Sequence, residues 1–133
     1  MIILGLNSGT SRDGVSAVIF ETGHFNAPMR IQVYAHSDYA YPQWLERELV
    51  KLEDQPSLEY VSRMNFVLGE FFARCALRLI RKSGISSEKI ALIASHGQTI
   101  GHFPALKKIH GYSNRASLQI AEPSVIALRT GIT

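Results

Sequence analysis

MIILGLNSGTSRDGVSAVIF, residues 1–20, sets the architecture. An apolar run at residues 2–6 ends in Asn7, Ser8 and Gly9, which predicts a buried strand entering a polar turn. A second apolar run, Val15, Ala17, Val18, Ile19 and Phe20, starts directly after Asp13-Gly14. Two strands joined by a glycine-bounded polar loop predict an antiparallel hairpin. After Pro28, Ile31, Val33 and Ala35 alternate with Gln32 and Tyr34. That alternation adds a third strand, so the chain opens as a β-meander.

From Pro42 the period changes to that of a helix, with Trp44, Leu45, Leu49 and Leu52 recurring before a break at Asp54-Gln55-Pro56. A longer helix follows, with Ser57 as N-cap, Gly84 as C-terminal stop, and a stripe of Leu58, Val61, Met64, Leu68, Phe71, Phe72, Cys75, Leu79 and Ile80. Residues 90–94 predict a fourth, buried strand that runs into Ser95-His96-Gly97-Gln98. Residues 104–113 are polar and turn-rich, an exposed loop or hairpin. Leu118 and Ile120 suggest a short strand, and Pro123 opens a last helix that ends at Gly131. The order β-β-β-α-α-β-β-α predicts an α/β protein, a mixed sheet with helices against it. No repeat or linker divides residues 1–133. Gly131-Ile132-Thr133 after a helix usually feeds another strand, so this chain is expected to be the first part of something longer.

The 133 residues are 46% hydrophobic and 19% charged. That is enough to bury a core without a disulfide or metal staple, and it excludes disordered, collagen-like and coiled-coil classes. A net charge of +3 gives little reason to expect a nucleic-acid partner. Its densest basic group, Arg74, Arg78, Arg81 and Lys82, lies on one candidate helix, where the last three suit the dipole of the C-terminal end. The single Cys75 excludes an internal disulfide and a Cys-rich zinc site, and its place on the apolar stripe makes it a core residue. The opening apolar run lacks a basic leader and is too short to span a bilayer, so a cytoplasmic protein with no membrane partner is expected.

Two segments carry chemistry. In residues 5–14, Gly9 and Gly14 let backbone N–H groups converge, and Ser8, Thr10 and Ser11 add hydroxyl donors, a combination suited to phosphate oxygens. Asp13 could hold magnesium or its water. There is no Gly-Lys-Ser/Thr ending, so this is not a Walker loop. The plainer alternative is that Asp13-Gly14 merely closes a hairpin whose hydroxyls cap the backbone. In the second segment, Ser95-His96-Gly97-Gln98-Thr99, the side chains of His96, Gln98 and Thr99 could bond a polyhydroxylated ligand, with His96 alternatively a base or a metal ligand. No second histidine lies at metal spacing on one helix face. Ser11 and Ser95 lack a Gly-x-Ser-x-Gly setting, and Phe66, Phe71 and Phe72 read as packing rather than a base-stacking platform.

Three stretches now become recognisable together: Gly5-Leu-Asn-Ser-Gly-Thr-Ser-Arg-Asp-Gly-Val15, Ser95-His-Gly-Gln-Thr-Ile100, and Ser117-Leu-Gln-Ile-Ala-Glu-Pro123 followed by Ile126-Ala-Leu-Arg-Thr-Gly-Ile132. In that order, across nearly the whole chain, they resemble the anhydro-N-acetylmuramic acid kinase family. The resemblance implies a ribonuclease H-like mixed five-stranded sheet, an antiparallel meander plus a parallel strand with flanking helices. This is the first lobe of the two-lobed actin-like fold shared by sugar kinases and heat-shock chaperone ATPases. Residues 1–133 would be an incomplete N-terminal lobe.

The family opens the 1,6-anhydro bond of anhydro-N-acetylmuramic acid with water while moving the ATP γ-phosphoryl to O6, in peptidoglycan recycling. Carried over by motif, Ser8, Gly9, Thr10, Ser11, Arg12, Asp13 and Gly14 would face the phosphates of ATP, with Asp13 on Mg2+. His96, Gln98 and Thr99 would border the sugar, with Ala121 and Glu122 nearby. Three positions depart from the family pattern: Asn7 replaces a usual methionine, Arg12 a usual apolar residue, and Ala121-Glu122 the usual Gly-Asp. The catalytic aspartate lies downstream in the family, so this chain is expected to hold no catalytic residue and to show no turnover alone. It would form a homo-oligomer or pair with a missing C-terminal lobe. A non-catalytic single lobe that binds a partner is the alternative. A nuclease of the ribonuclease H type is disfavoured, because only Asp13 is strand-adjacent and a two-metal site needs several carboxylates.

Overall fold

A computed structural model describes residues 1–23 and 30–133. The chain forms β1 (Ile2–Ser8), β2 (Gly14–Thr22), β3 (Ile31–Ala40), α1 (Gln43–Asp54), α2 (Leu58–Ser83), a 3-10 turn (Ser87–Lys89), β4 (Ile90–Ile109), β5 (Tyr112–Ile120) and α3 (Pro123–Thr130). Five strands make one sheet in the order β3-β2-β1-β4-β5. The β1–β4 pair is parallel and the other pairs are antiparallel. This is the expected α/β architecture, a meander plus one parallel pair with flanking helices, and it is consistent with a lobe of an actin-like ATPase. Pro28, read as punctuation before β3, lies outside the described residues.

Period-two alternation builds the core side of the sheet. Leu4, Leu6 and Ser8 of β1 and Val15, Ala17 and Ile19 of β2 turn inward, while Asn7 and Ser16 face out. Against them pack Leu45, Leu49 and Leu52 of α1 and Met64, Leu68, Phe72, Cys75 and Leu79 of α2. Each buried leucine contributes about 1.5–3 kcal/mol. Ser57 caps α2 by accepting from Tyr60 N at 3.1 Å, and Gly84 ends it in the left-handed conformation, both as expected. Three apolar residues assigned to packing are instead exposed: Trp44, Leu58 and Phe66. Trp44 sits about 100° around the helix from Leu45. Leu58 is on the right stripe, but in a first turn that overshoots the core.

The fourth strand departs most from expectation. Instead of stopping at Ala94, it continues through residues 95–99 to Ile109, and these polar residues stay in the ladder. Gly97 makes this possible by taking a φ of +78°. A Cβ there would lie 2.9 Å from Ile120 O. Around this point β4 changes partner, since Gln98 aligns with both Ser8 of β1 and Ile120 of β5. Residues 104–113, polar enough for an exposed loop or a hairpin, form a hairpin. Its two-residue turn, His110-Gly111, has both φ values positive, at 45° and 92°, as a type I′ turn requires. β5 therefore begins at Tyr112, well before Leu118.

Candidate functional site

The loop at residues 9–13 rests on a buried polar network. Ser8 is 2% exposed and Gln98 fully buried. Ser8 Oγ lies 2.7 Å from Gly14 O and 2.7 Å from Gln98 Oε1, sharing its one proton between them, and accepts from Tyr41 Oη at 3.1 Å. Gln98 Nε2 donates to Gly9 O and to Thr99 O, both at 3.0 Å. Tyr41 N donates to Asp13 O at 3.0 Å. Burial pushes the Tyr41 phenol well above its usual range, against the opposing pull of Ser8, so it stays a neutral donor. Its ring stacks obliquely on Phe71 of α2, with centroids 5.1 Å apart. Both ends of the loop are thereby fixed to β1, β4 and α2.

Between those ends the backbone bends through one turn at Thr10-Ser11. Among the described residues, the N–H groups of Gly9, Thr10, Ser11 and Asp13 donate to no protein acceptor. An N–H that finds no protein acceptor is a donor held ready for water or an anion. Gly9, Ser11 and Asp13 line a cleft of about 560 Å³ together with Asn7, Ser16 and Asp38. Thr10 lines a second cleft, of about 540 Å³, with Glu53, Thr99, His102 and Phe103. The loop is thus a wall between two clefts. A hard cation takes carboxylate, amide and hydroxyl oxygens, and Asp13, Asp38, Asn7 and Ser16 bring that donor set to the first cleft. Ser16 Oγ already donates to Asp38 at 2.6 Å.

The sequence-derived candidates therefore divide. Gly9, Ser11, Asp13 and Gly14 share the first cleft. Ser8 and Gln98 lie beneath it, their polar atoms spent on each other and on the loop. Arg12 turns toward α1, where Nη1 lies 2.6 Å from Glu53 Oε2. His96, Gln98 and Thr99 do not share one surface. His96 is exposed and lines a trough on the open sheet face with Asn7, Ser16 and His36, whereas Thr99 lines the second cleft. Strand alternation sets Thr99 on the face opposite Gln98, and the left-handed turn at Gly97 parts exposed His96 from buried Gln98.

Ala121 is buried in the core. The longer Glu122 carboxylate folds back on its own helix, accepting from Ser124 N at 3.2 Å, Ser124 Oγ at 2.7 Å and Asn65 Nδ2 at 2.8 Å. The Ser124 bonds, with Asn65 adding to them, hold this carboxyl below its usual range. Asn65 clasps the segment from the other side too: its Oδ1 accepts from Ala121 N at 3.0 Å and its O from Glu122 N at 2.9 Å. Cys75 is buried in the core, as expected, and burial pushes its thiol up to about 12.

Sequence reasoning missed Asp38, Tyr41 and Asn65. Aspartate is depleted in strands, so Asp38 inside β3 was the available signal. Asn65 and Gly69, two poor helix formers four positions apart in α2, were the signal for the place where α3 docks.

The whole chain, residues 1–133, matches the family model described as anhydro-N-acetylmuramic acid kinase. Curated relatives of that name include one from Caldanaerobacter subterraneus subsp. tengcongensis, 39% identical over 98% of this chain and 34% of its own length. Others come from Shewanella amazonensis, 35% identical over 98% of this chain and 33% of its own, and Salinibacter ruber, 31% identical with the same coverage. The chain spans about a third of the length of these relatives.

Proposed function

Because the chain belongs to the anhydro-N-acetylmuramic acid kinase family, we propose that it supplies the phosphate-holding part of an ATP-dependent kinase of 1,6-anhydro-N-acetylmuramic acid. The observation that carries this reading is the group of unpartnered amides on Gly9, Thr10, Ser11 and Asp13 beside the cleft of about 560 Å³. Such a concavity of N–H donors complements phosphate oxygens with no lysine required. Thr10 and Ser11 add hydroxyls, and the buried Ser8, Gln98 and Tyr41 keep the donors fixed, so little reorganisation is needed when charge arrives. Bound ATP and Mg2+ supply the transferable phosphoryl group and the countercharge that phosphoryl transfer needs. Asp13 is the residue assigned to the metal, with Asp38 on the same cleft wall. The sugar is assigned to the second cleft, where Thr99 and His102 offer polar contacts.

In the complete reaction, water opens the anhydro bond and the γ-phosphoryl passes to O6, leaving ADP. We assign the water-activating base and the adenosine contacts to parts of the polypeptide other than residues 1–133, and turnover to the complete enzyme in the cytoplasm. The test is titration calorimetry of this chain with Mg·ADP, expected to show binding that Asp13→Asn abolishes. A coupled ADP-release assay with the anhydro sugar should give no rate above a no-protein control. No heat with Mg·ADP overturns the loop assignment; turnover by the isolated chain overturns the division of labour.

One observation favours binding without catalysis as a second reading. Phe103, Leu106, Ile109 and Tyr112 of the β4–β5 hairpin are each at least 60% exposed, and exposed apolar area of this kind drives association. Sedimentation equilibrium reporting a dimer that binds no Mg·ADP would support that reading.

A further inference from the structure

We propose that the Arg12–Glu53 ion pair is a latch on the loop, and that a polyphosphate in the first cleft competes with Glu53 for the Arg12 guanidinium. The inference rests on the reading of residues 9–13 as a polyphosphate site. Arg12 is one of two non-glycine residues with positive φ among those described, at 57°. That conformation is unfavourable for an L side chain and persists only when something holds it. Other tethers act at the loop's ends, on Gly9 O and Asp13 O. Among the described residues, the one side-chain tie on residues 10–12 is Arg12 to Glu53.

The pair is built to be exchangeable. One Nη1 meets one carboxylate oxygen at 2.6 Å, and the two side chains are 32% and 40% exposed. Solvent screening keeps such a pair weak. The remaining donors of the guanidinium have no partner among the described residues, and a phosphate can take two in parallel. Glu53 sits beside Asp54 in the last turn of α1, where the helix dipole disfavours negative charge. Arg12 therefore neutralises Glu53 in the resting state, and an incoming polyanion offers Arg12 a richer set of acceptors.

Release has a second effect. Thr10 and Glu53 both line the cleft of about 540 Å³, so moving Arg12 toward the first cleft alters the wall and charge of the second. Occupancy of the two clefts is then coupled, and by thermodynamic reciprocity each occupant changes the affinity of the other.

The test is calorimetric titration of this chain with magnesium tripolyphosphate for wild type, Glu53→Gln, Arg12→Ala, Arg12→Lys and the Arg12→Ala/Glu53→Gln double variant. Glu53→Gln should bind about three- to ten-fold tighter, because the guanidinium is freed for a charge-assisted bond. Arg12→Ala should bind more weakly, Arg12→Lys should recover part of the loss, and Glu53→Gln should change nothing when Arg12 is absent. A scaffolding role for Glu53 would give the opposite sign. In parallel, NMR order parameters at residues 10–12 should fall in Glu53→Gln without ligand, and unchanged values overturn the latch. If wild type binds but Glu53→Gln is no tighter, the competition fails and the loop reading stands. If wild type does not bind, the loop reading fails and the competition with it.

Discussion

Gln98 and Ser8, 90 positions apart in the chain, meet side chain to side chain at 2.7 Å under the loop of residues 9–13. The contact ties the end of β1 to β4 at the point where β4 passes from one partner strand to the other. Replacing Gln98 by Ala removes the bonds to Ser8, Gly9 O and Thr99 O. It should cost about 2–3 kcal/mol, the penalty of leaving buried polar groups unpaired. Urea denaturation should show a lower midpoint at unchanged slope. A loss within error of zero would mean that water replaces the amide without cost.

Gly69 makes a second prediction, about how α3 is held. A Cβ at this position would stand 2.9 Å from Glu122 O and 3.1 Å from Val125 Cβ. Gly69→Ala gains helix propensity worth about 1 kcal/mol. Overpacking costs about 1–3 kcal/mol, so the net effect should be destabilising. Amide exchange should rise first at residues 121–127, ahead of the β1–β2 hairpin.

Acid should act on the same junction. The Glu122 carboxyl sits below its ordinary 4.5 in the folded chain. A depressed folded value contributes stability that is present above the unfolded value and is lost as pH falls through the folded one. Below about pH 4.5 the docking of α3 should therefore loosen, and Glu122→Gln should flatten that dependence. The check is an exchange profile of residues 121–127 across the acid range.

Alkali should act on the core. The Cys75 thiol is raised from 9.0 to about 12 and the Tyr41 phenol is raised as well, both chiefly by burial. Groups that ionise more easily when unfolded contribute stability that is complete below the unfolded value and declines above it. Stability should hold up to about pH 9 and decline from there toward pH 12. Cys75→Ala combined with Tyr41→Phe should blunt the slope. Native Cys75 should resist thiol reagents at pH 8 and react once unfolded.

Where one physical rule governed, the outcome was legible in advance. Alternation at Leu4, Leu6, Val15, Ala17 and Ile19, together with the stops at Ser57 and Gly84, gave the meander and the long helix. The extent of β4 was not legible, because polar residues at 95–99 look like a loop until Gly97 is seen in its left-handed turn against Ile120. His110-Gly111 acts as a hairpin turn without the Asn-Gly or Asp-Gly that would advertise it. In the site, glycines and hydroxyls marked residues 9–13 from composition alone. Their support was hidden, since Tyr41 and Gln98 reach the loop through contacts 28 and 89 positions distant. The direction of Arg12 was equally hidden, because nothing local selects Glu53 from the acidic residues of α1.

The partner exchange at Gln98 divides β4 into an inner stretch that supports the loop and an outer stretch that pairs with β5 alone. Residues 102–117 are exposed throughout. The tip of the hairpin, residues 104–116, clear of His102 and Phe103 on the second cleft, is therefore a natural splice site. It can be trimmed, lengthened or fitted with a fluorophore while the inner half keeps its shape, which makes it the place to attach reporters of what happens at the loop.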